Sequence, residues 1–177
     1  MKTAEEQLST YKSVHLSKKN ITTHFIGVPS IIWSLSLLLS LYSVPVSVAG
    51  KAFSLTPAMV FFSLVFVYYI KLHWRLSLGL FLFIVPVVYS TTMVATSPYA
   101  LWIAIGVFFV GWVIQFIGHH YEKAKPAFVD DLNQLLIGPF FLMAEVYFMC
   151  GWEKQLEQTI TPMAVEKRRA FEAAKQS

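Results

Sequence analysis

Long runs of apolar residues, separated by short polar connections, constrain this chain more than any other feature. A helix needs about 20 mainly apolar residues to cross the hydrocarbon core of a bilayer. Hydrophobic residues make up 56% of the 177 residues and charged residues only 14%, against about a quarter in soluble domains. We therefore predict an all-α integral membrane helical bundle with four transmembrane helices, at residues 25–48, 57–74, 76–95 and 98–118.

A fifth apolar run, residues 135–152, is expected either to re-enter the membrane or to span it. Gly138 and Pro139 near its start and Glu145 within it weaken a simple spanning helix, so re-entry is the favoured interpretation. Residues 1–152 are thus predicted to form one membrane-embedded domain, and residues 153–177 a polar cytoplasmic tail. In that tail, residues 164–175 predict a short, exposed helix of mixed charge.

Positive charges predict the orientation, because cytoplasmic loops are enriched in lysine and arginine. If the first four segments cross and the N-terminus is cytoplasmic, Lys51 is the only lysine or arginine flanking these spans that lies outside. These flanks account for the net charge of +4, so no nucleic-acid partner is expected. The membrane would be the endoplasmic reticulum in a eukaryote or the inner membrane in a bacterium. The inside residues would be Lys2, Lys12, Lys18, Lys19, Lys71, Arg75, Lys123 and Lys125.

Four of the five histidines lie in two polar segments, residues 11–29 and 115–127, that flank the predicted spans. An even number of crossings between them places both segments on one side of the membrane. The chain has a single cysteine, which excludes an intramolecular disulfide and any multi-cysteine zinc or iron–sulfur site. The segments could therefore meet and offer imidazoles and a carboxylate to one metal ion.

Helix geometry sets a condition on that site. His15 and His24 are nine residues apart, which places them about 180° apart around a straight helix. A shared metal therefore requires a bend between them, for which residues 17–20 are a plausible place. His119 and Glu122 are three apart and share a helical face. Histidines plus one carboxylate, with open coordination positions, are typical of non-haem Fe(II) oxygenases.

Other polar residues near these histidines are candidates for supporting roles. Tyr11 lies four residues before His15, Asn20 four before His24, and Gln115 four before His119, so each pair shares a face. Glu145 is an ionisable group within an apolar segment and is expected to be functional or tightly paired. Two lysines could bind a lipid carboxylate or simply determine topology: Lys123 and Lys125. The alternative for the histidines themselves is that they anchor spans at the membrane interface.

Three motifs together resemble one family. They are Y-x3-H-x4-N-x3-H-x2-G-x-P from Tyr11, Q-F-I-G-H-x2-E-K-x2-P-A from Gln115, and P-F-x4-E from Pro139. The pattern is similar to that of the fungal 2-hydroxy fatty acid dioxygenases, a family of Mpo-type membrane proteins. The resemblance covers about residues 8–150 and leaves the tail outside.

The resemblance implies an Fe(II)-dependent, 2-oxoglutarate-independent α-oxidation, in which a 2-hydroxy fatty acid reacts with O2 and becomes one carbon shorter. It implies that His15, His24 and His119 are iron ligands, with Glu122 as ligand or support and His120 as a possible alternative ligand. Asn20, Gln115, Glu145 and Tyr11 would support the site, and Lys123 and Lys125 would bind the substrate carboxylate. The alternatives are another metal-dependent membrane lipid enzyme, or a non-enzymatic scaffold with interfacial histidines.

Overall fold

The computed structural model describes residues 2–48 and 50–176. Met1 and Ser177, the outer limits of the two predicted domains, lie outside the described residues. The predicted helical bundle is confirmed, and a two-stranded hairpin that the sequence did not predict is added to it. The elements are α1 (Ala4–Ser13), α2 (Lys18–Ser40), β1 (Val44–Val48), β2 (Lys51–Leu55), α3 (Pro57–Leu72), α4 (Trp74–Val94), α5 (Ala100–Glu122), a 3-10 turn (Ala127–Val129), α6 (Gln134–Met149) and α7 (Lys154–Gln176).

Three helices within the described residues are long and apolar enough to cross a membrane: α2, α4 and α5. Helices α3 and α6 are apolar but have only 16 residues each. At about 1.5 Å per residue such a helix is about 24 Å long, which is less than the hydrocarbon thickness of about 30 Å. A fourth crossing by α3 therefore stays a prediction.

The first predicted span, residues 25–48, is wrong at its end, and its helix begins before residue 25. Helix α2 begins at Lys18 and ends at Ser40, and residues 44–48 form a strand instead. Pro45 lacks a backbone N–H and biases the residue before it toward extended backbone, which ends helical structure here. The strand pairs antiparallel with β2, from Val44 opposite Leu55 to Val48 opposite Lys51. Apolar content alone could not distinguish this strand from the end of a span.

Capping residues set the boundaries of the two helices that follow the hairpin in the chain. The Thr56 side chain accepts a hydrogen bond from the Met59 backbone N–H, and Pro57 occupies the first turn of α3, where its missing N–H costs little. Between α3 and α4 the backbone is extended at His73, whose ring accepts a bond from the Leu76 N–H at 3.4 Å. His73 therefore caps a helix rather than joining the other histidines.

Helix α6 contributes several fully buried side chains to the bundle's core. Ile137, Phe140 and Phe141 have no exposed surface, and the helix packs against α1 and α4. The Tyr69 hydroxyl of α3 donates to the Leu136 carbonyl at 2.6 Å. A helix of this length surrounded by protein fits a core or re-entrant helix better than a lipid-exposed span.

Helix α7 is longer and more closely packed than the exposed tail helix predicted from the sequence. It begins at Lys154, ten residues before the predicted start at Ala164, and continues through Pro162. Leu156 and Ile160 are buried in the same apolar core as Leu8 of α1. The division between a membrane domain and a tail stays a prediction, but this helix lies directly on the N-terminal helix.

Candidate metal centre

Three histidines meet at the end of the bundle opposite the hairpin. His15 lies in the turn between α1 and α2, His24 in the second turn of α2, and His119 in the last turn of α5. One ring nitrogen from each lies within 4.8 Å of the others. The residues are buried, with exposed fractions of 0%, 1% and 8%. The structure thus brings together three of the four predicted ligands.

A turn between His15 and His24 allows both imidazoles to face one point. Helix α1 ends at Ser13 and α2 begins at Lys18, so residues 14–17 are non-helical. The bend expected at residues 17–20 is thus present, but it lies three residues earlier. The His15 N–H donates to the Lys12 carbonyl at 2.8 Å and closes the end of α1.

Backbone carbonyls fix the tautomers of two of these histidines. Nδ1 of His15 lies 2.6 Å from the Tyr11 carbonyl oxygen, and Nδ1 of His24 lies 2.9 Å from the Asn20 carbonyl oxygen. A carbonyl only accepts hydrogen bonds, so both Nδ1 atoms carry the proton. Each Nε2 is left with a free lone pair. Carbonyl groups that accept a hydrogen bond from Nδ1 impose the same arrangement on metal-binding histidines.

The two Nε2 atoms fit a bound metal ion. They lie 3.0 Å apart, and two lone pairs that face each other at this distance repel unless a cation binds both. Two nitrogens at right angles around a metal, each about 2.1 Å from it, are separated by about this distance. Nδ1 of His119 is buried and has no hydrogen-bond partner among the described residues. Neutral imidazoles are also the commonest ligands of transition metals.

Burial sets the protonation states at the turn. It lowers the pKa of His15 well below the ordinary value of 6.5, and the neighbouring His24 and His119 lower it further. His15 is therefore neutral at pH 7, as a metal ligand must be. Burial also raises the pKa of Tyr11 above its usual range, so its phenol stays protonated. The Tyr11 ring stacks on His15, with ring centroids 4.0 Å apart and planes within 1°.

Glu122 holds the turn that carries His15. Its carboxylate accepts hydrogen bonds from the backbone N–H groups of Leu16 at 3.1 Å and Ser17 at 2.9 Å, and from Nδ2 of Asn20 at 3.2 Å. Asn20 Nδ2 also donates to the Val14 carbonyl at 3.2 Å. The structure therefore places Glu122 beside the histidines and outside the three-histidine group. Both predicted residues, Glu122 and Asn20, fix backbone around the histidines.

Glu145 pairs with a lysine of α1. Its Oε1 lies 2.5 Å from Nζ of Lys12, and the two side chains are only 15% and 11% exposed. The Lys12 ammonium also lies over the rings of Phe141 and Phe148, at 5.6 and 5.8 Å from their centroids. An ionisable group in an apolar segment needs such a partner. The pair joins α6 to α1 one residue after Tyr11.

A small cavity of about 80 Å³ opens beside the histidines. Tyr11 and Gln115 contribute polar groups to its wall, together with the aromatic rings of Trp112, Phe116 and Phe128. Oε1 of Gln115 is buried and has no hydrogen-bond partner among the described residues. Gln115 thus lines this space, has an unused acceptor in its side chain, and makes no bond to His119 within the described structure.

Comparison with known proteins places this geometry in a family. A family model described as 2-hydroxy-palmitic acid dioxygenase Mpo1-like matches residues 1–150. The chain belongs to the Mpo1-like family. The 2-hydroxy-palmitic acid dioxygenase MPO1 of Saccharomyces cerevisiae is 31% identical over 156 residues, which cover 87% of this chain and 85% of the yeast protein. No solved structure matches the chain.

Three residues predicted near the site lie away from the histidine group of this Mpo1-like chain. His120 is exposed and packs edge-on against Tyr121, with ring centroids 6.3 Å apart. Lys123 is exposed at the end of α5, with a positive φ of 55°. Lys125 pairs with Asp130 at 2.6 Å on the surface. A role for either lysine in binding the substrate carboxylate stays a prediction, and neither lines the small cavity.

Sequence reasoning missed several residues that support the Mpo1-like site. The sequence predicts Lys12 only as a residue that determines topology. An ionisable group within an apolar segment, such as Glu145, nevertheless requires a cationic partner on the same side of the membrane. Gln134 donates to Oε1 of Gln7 at 2.8 Å. Arg168 of α7 donates to the Glu122 carbonyl at 3.1 Å and lies 3.6 Å from the Glu122 carboxylate. Nothing local in the sequence connects Arg168 with a residue 46 positions away.

Proposed function

We propose that the protein is an Fe(II)-dependent dioxygenase that shortens 2-hydroxy fatty acids by one carbon. The observation that carries this proposal is the buried group of His15, His24 and His119, in which two Nε2 lone pairs face each other 3.0 Å apart. Membership of the Mpo1-like family and the name of the yeast relative supply the substrate class. This substrate class is a 2-hydroxy acid with a long acyl chain.

The proposed reaction is balanced without a further reductant. One R–CH(OH)–COOH and one O2 give one R–COOH, one CO2 and one water. The bond between the carboxyl carbon and the hydroxyl-bearing carbon breaks, and the four electrons released from these two carbons reduce O2. An oxygenase of this type therefore has no need of 2-oxoglutarate, as the family resemblance also implies.

The three histidines would hold the iron. Bound iron would supply the one-electron chemistry that allows O2 to react with a closed-shell hydroxy acid. The Tyr11 and Asn20 carbonyls keep the Nε2 atoms of His15 and His24 unprotonated. Glu122 keeps the turn in place through its bonds to Leu16 and Ser17.

Gln115 and Tyr11 would orient the head of the substrate in the small cavity. Gln115 offers a buried, unpaired Oε1, which would accept the hydrogen bond of the substrate's 2-hydroxyl group. Tyr11 lines the same cavity and keeps its phenolic proton because burial raises its pKa. Its hydroxyl would donate to the carboxylate. The surrounding aromatic side chains exclude water from the reacting carbons.

The metal end of the bundle would face the cytoplasm. Arg75, at the start of α4, pairs with Glu153 at 3.0 Å, and Lys167 and Arg168 of α7 contact α1 or the end of α5. Helix α1, which carries Lys12, and the cationic helix α7 therefore share one end of the bundle, whereas Lys51 lies in the hairpin at the other. By the positive-inside bias, the end with more cations is cytoplasmic. In a eukaryote the membrane would be the endoplasmic reticulum.

Metal content tests the proposal directly. The protein is purified in detergent, reconstituted anaerobically with Fe(II), and analysed for iron beside the variants His119→Ala and His120→Ala. We expect about one iron per chain in the wild type and in His120→Ala, and loss of iron in His119→Ala, since only His119 belongs to the buried group. Conversion of 2-hydroxypalmitate to the acid one carbon shorter should follow the iron content.

Each alternative predicts a different result. A scaffold with interfacial histidines would hold no transition metal under these conditions. Another metal-dependent lipid enzyme would hold the metal and leave 2-hydroxypalmitate unchanged under O2. Iron retained by His119→Ala and lost from His120→Ala would exchange the roles of the two adjacent histidines.

A further inference from the structure

A second and much larger cavity lies deeper in the bundle. It has a volume of about 760 Å³ and is bounded by α2, α3, α4, α5 and α6. This volume lies within the roughly 300–1,000 Å³ of small-molecule sites in proteins. Its walls are almost entirely apolar side chains, with few hydroxyl groups such as those of Ser63, Tyr89 and Thr92. We call this space the apolar groove.

The apolar groove adjoins the small cavity beside the histidines. Five residues line both spaces, so one shared layer of side chains borders them: Ile31, Ile32, Trp112, Leu135 and Pro139. A molecule with a polar head among the histidines could therefore extend its apolar part into the groove by displacing side chains of this shared layer alone.

The groove is as long as one leaflet of a membrane. Its lining on α4 runs from Leu80, beside α6, to Thr92 near the hairpin end. The twelve residue-to-residue steps between these positions span about 18 Å of helix at about 1.5 Å each. Half of a hydrocarbon core of about 30 Å is about 15 Å, which is the depth that one membrane acyl chain occupies. The groove thus matches an extended acyl chain in length as well as in polarity.

One side of the groove opens toward the surface that the bilayer would cover. Three of its lining residues on α4 are substantially exposed: Phe81 at 46%, Val85 at 48% and Tyr89 at 65%. An acyl chain could therefore move sideways from the hydrocarbon into the groove, with no need to leave the membrane and pass through water.

We propose that the apolar groove binds the acyl chain of the 2-hydroxy acid and measures its length. This inference rests on the proposed function, because the head group is assigned to the three histidines. Lipid tails are as apolar as the groove, so transfer from the bilayer gains little hydrophobic free energy. Discrimination between chain lengths must therefore come from fit. A chain longer than the groove, which ends near Met59 and Thr92, has to bend or to overpack the surrounding side chains.

A substitution at the far end of the groove tests the length measurement. Thr92→Trp places a large side chain in the groove, whereas Met93→Trp adds the same side chain to an exposed position of α4 that does not line it. We expect Thr92→Trp to lower the ratio of kcat/KM for 2-hydroxypalmitate to that for 2-hydroxydecanoate by about tenfold, the scale of a steric mismatch. Met93→Trp should leave the ratio unchanged. An unaltered ratio in Thr92→Trp, or an equal fall in both variants, would overturn the length measurement.

A binding measurement separates this proposal from the proposed function. The wild-type protein in lipid nanodiscs is irradiated with a 2-hydroxy fatty acid that carries a diazirine at the end of its chain, and the labelled residues are mapped by mass spectrometry. Labelling of Met59 or Thr92 supports the groove even if the protein converts no 2-hydroxy acid. Labelling confined to lipid-facing residues outside it, such as Leu82 and Met93, refutes the groove even in an active enzyme.

Discussion

Two regions of this bundle differ in what surrounds their side chains. The polar cap comprises α1, residues 14–17, the first turns of α2, the last turns of α5, and α7. There, buried polar groups bond to partners far away in sequence, as Asn20 does to Glu122 and Gln7 to Gln134. The membrane body comprises α3, α4 and the remaining turns of α2 and α5. Its surface carries exposed apolar side chains such as Leu64, Leu82 and Trp102.

Because of this difference, the two regions tolerate different substitutions. In the polar cap, removing one partner leaves a buried polar group unpaired, at a cost of about 1–3 kcal/mol or more. On the membrane body, an exposed apolar side chain contacts lipid, which is as apolar as its protein neighbours. Position within the bundle therefore predicts the sensitivity to substitution better than residue type does, and substitutions in the two regions test this contrast.

The largest effect is expected from His24→Ala in the polar cap. The substitution removes one of the two facing Nε2 atoms, so iron affinity should fall by more than about a hundredfold, beyond the range for supporting residues. Turnover of 2-hydroxypalmitate should be lost. Affinity is measured by competition with a coloured chelator, with His73→Ala, the cap of α4, as the matched control. Wild-type affinity in His24→Ala would remove His24 from the ligand set.

The next effect is on stability, at the pair between Lys12 and Glu145. Glu145→Leu leaves the Lys12 ammonium without its partner in a largely buried site, and breaking such a pair costs about 3–5 kcal/mol. Lys12→Met combined with Glu145→Leu should recover most of the loss, because no charge is left unpaired. Denaturant unfolding in mixed micelles measures both. If the double variant were as unstable as the single one, the pair would not be the cause.

A smaller effect is expected from Glu122→Gln. The amide has one acceptor oxygen in place of two and adds a donor group that would face the N–H groups of Leu16, Ser17 or Asn20. The turn should loosen, and iron affinity should fall by about 10–100-fold, as for other residues that orient metal ligands. Chelator competition again measures the change. A complete loss of iron binding would instead indicate that Glu122 is itself a ligand.

The smallest effect is expected on the membrane body. Leu82 is 74% exposed, and Leu82→Ala should change the free energy of unfolding by less than about 0.5 kcal/mol. Leu37 has no exposed surface, and Leu37→Ala should cost more, because it leaves a cavity between packed helices. Equal costs for the two leucines would contradict the contrast between packed and lipid-facing positions.

The sequence predicted the parts of this structure that depend on local pattern. Apolar runs predicted the helices, and two polar segments on one side of the membrane predicted that His15, His24 and His119 could meet. The nine-residue spacing of the first two required the turn that residues 14–17 provide. These inferences need only helix geometry and the length of a span.

The remainder depends on tertiary contacts that no local pattern contains. The bond from Ser17 to Glu122 and the pair of Lys12 with Glu145 join residues 105 and 133 positions apart. The hairpin was missed because its strand is as apolar as the end of a span. The packing of α7 was missed because its charged residues suit a solvated face equally well. Lys167 bonds Ser9 and Thr10 only because α1 lies beside it.

Helix α3 has a consequence for the membrane in which the protein works. With 16 residues, it is about 24 Å long, yet it has to join the hairpin end of the bundle to the end that carries Arg75. If α3 is the predicted fourth span, a bilayer of average thickness has to thin beside it, and hydrophobic mismatch of this kind costs a fraction of a kcal/mol per Å. The endoplasmic reticulum bilayer, at about 27 Å, is closer to this length than the plasma membrane is. Since α3 forms one wall of the apolar groove, a change in bilayer thickness would act directly on that wall.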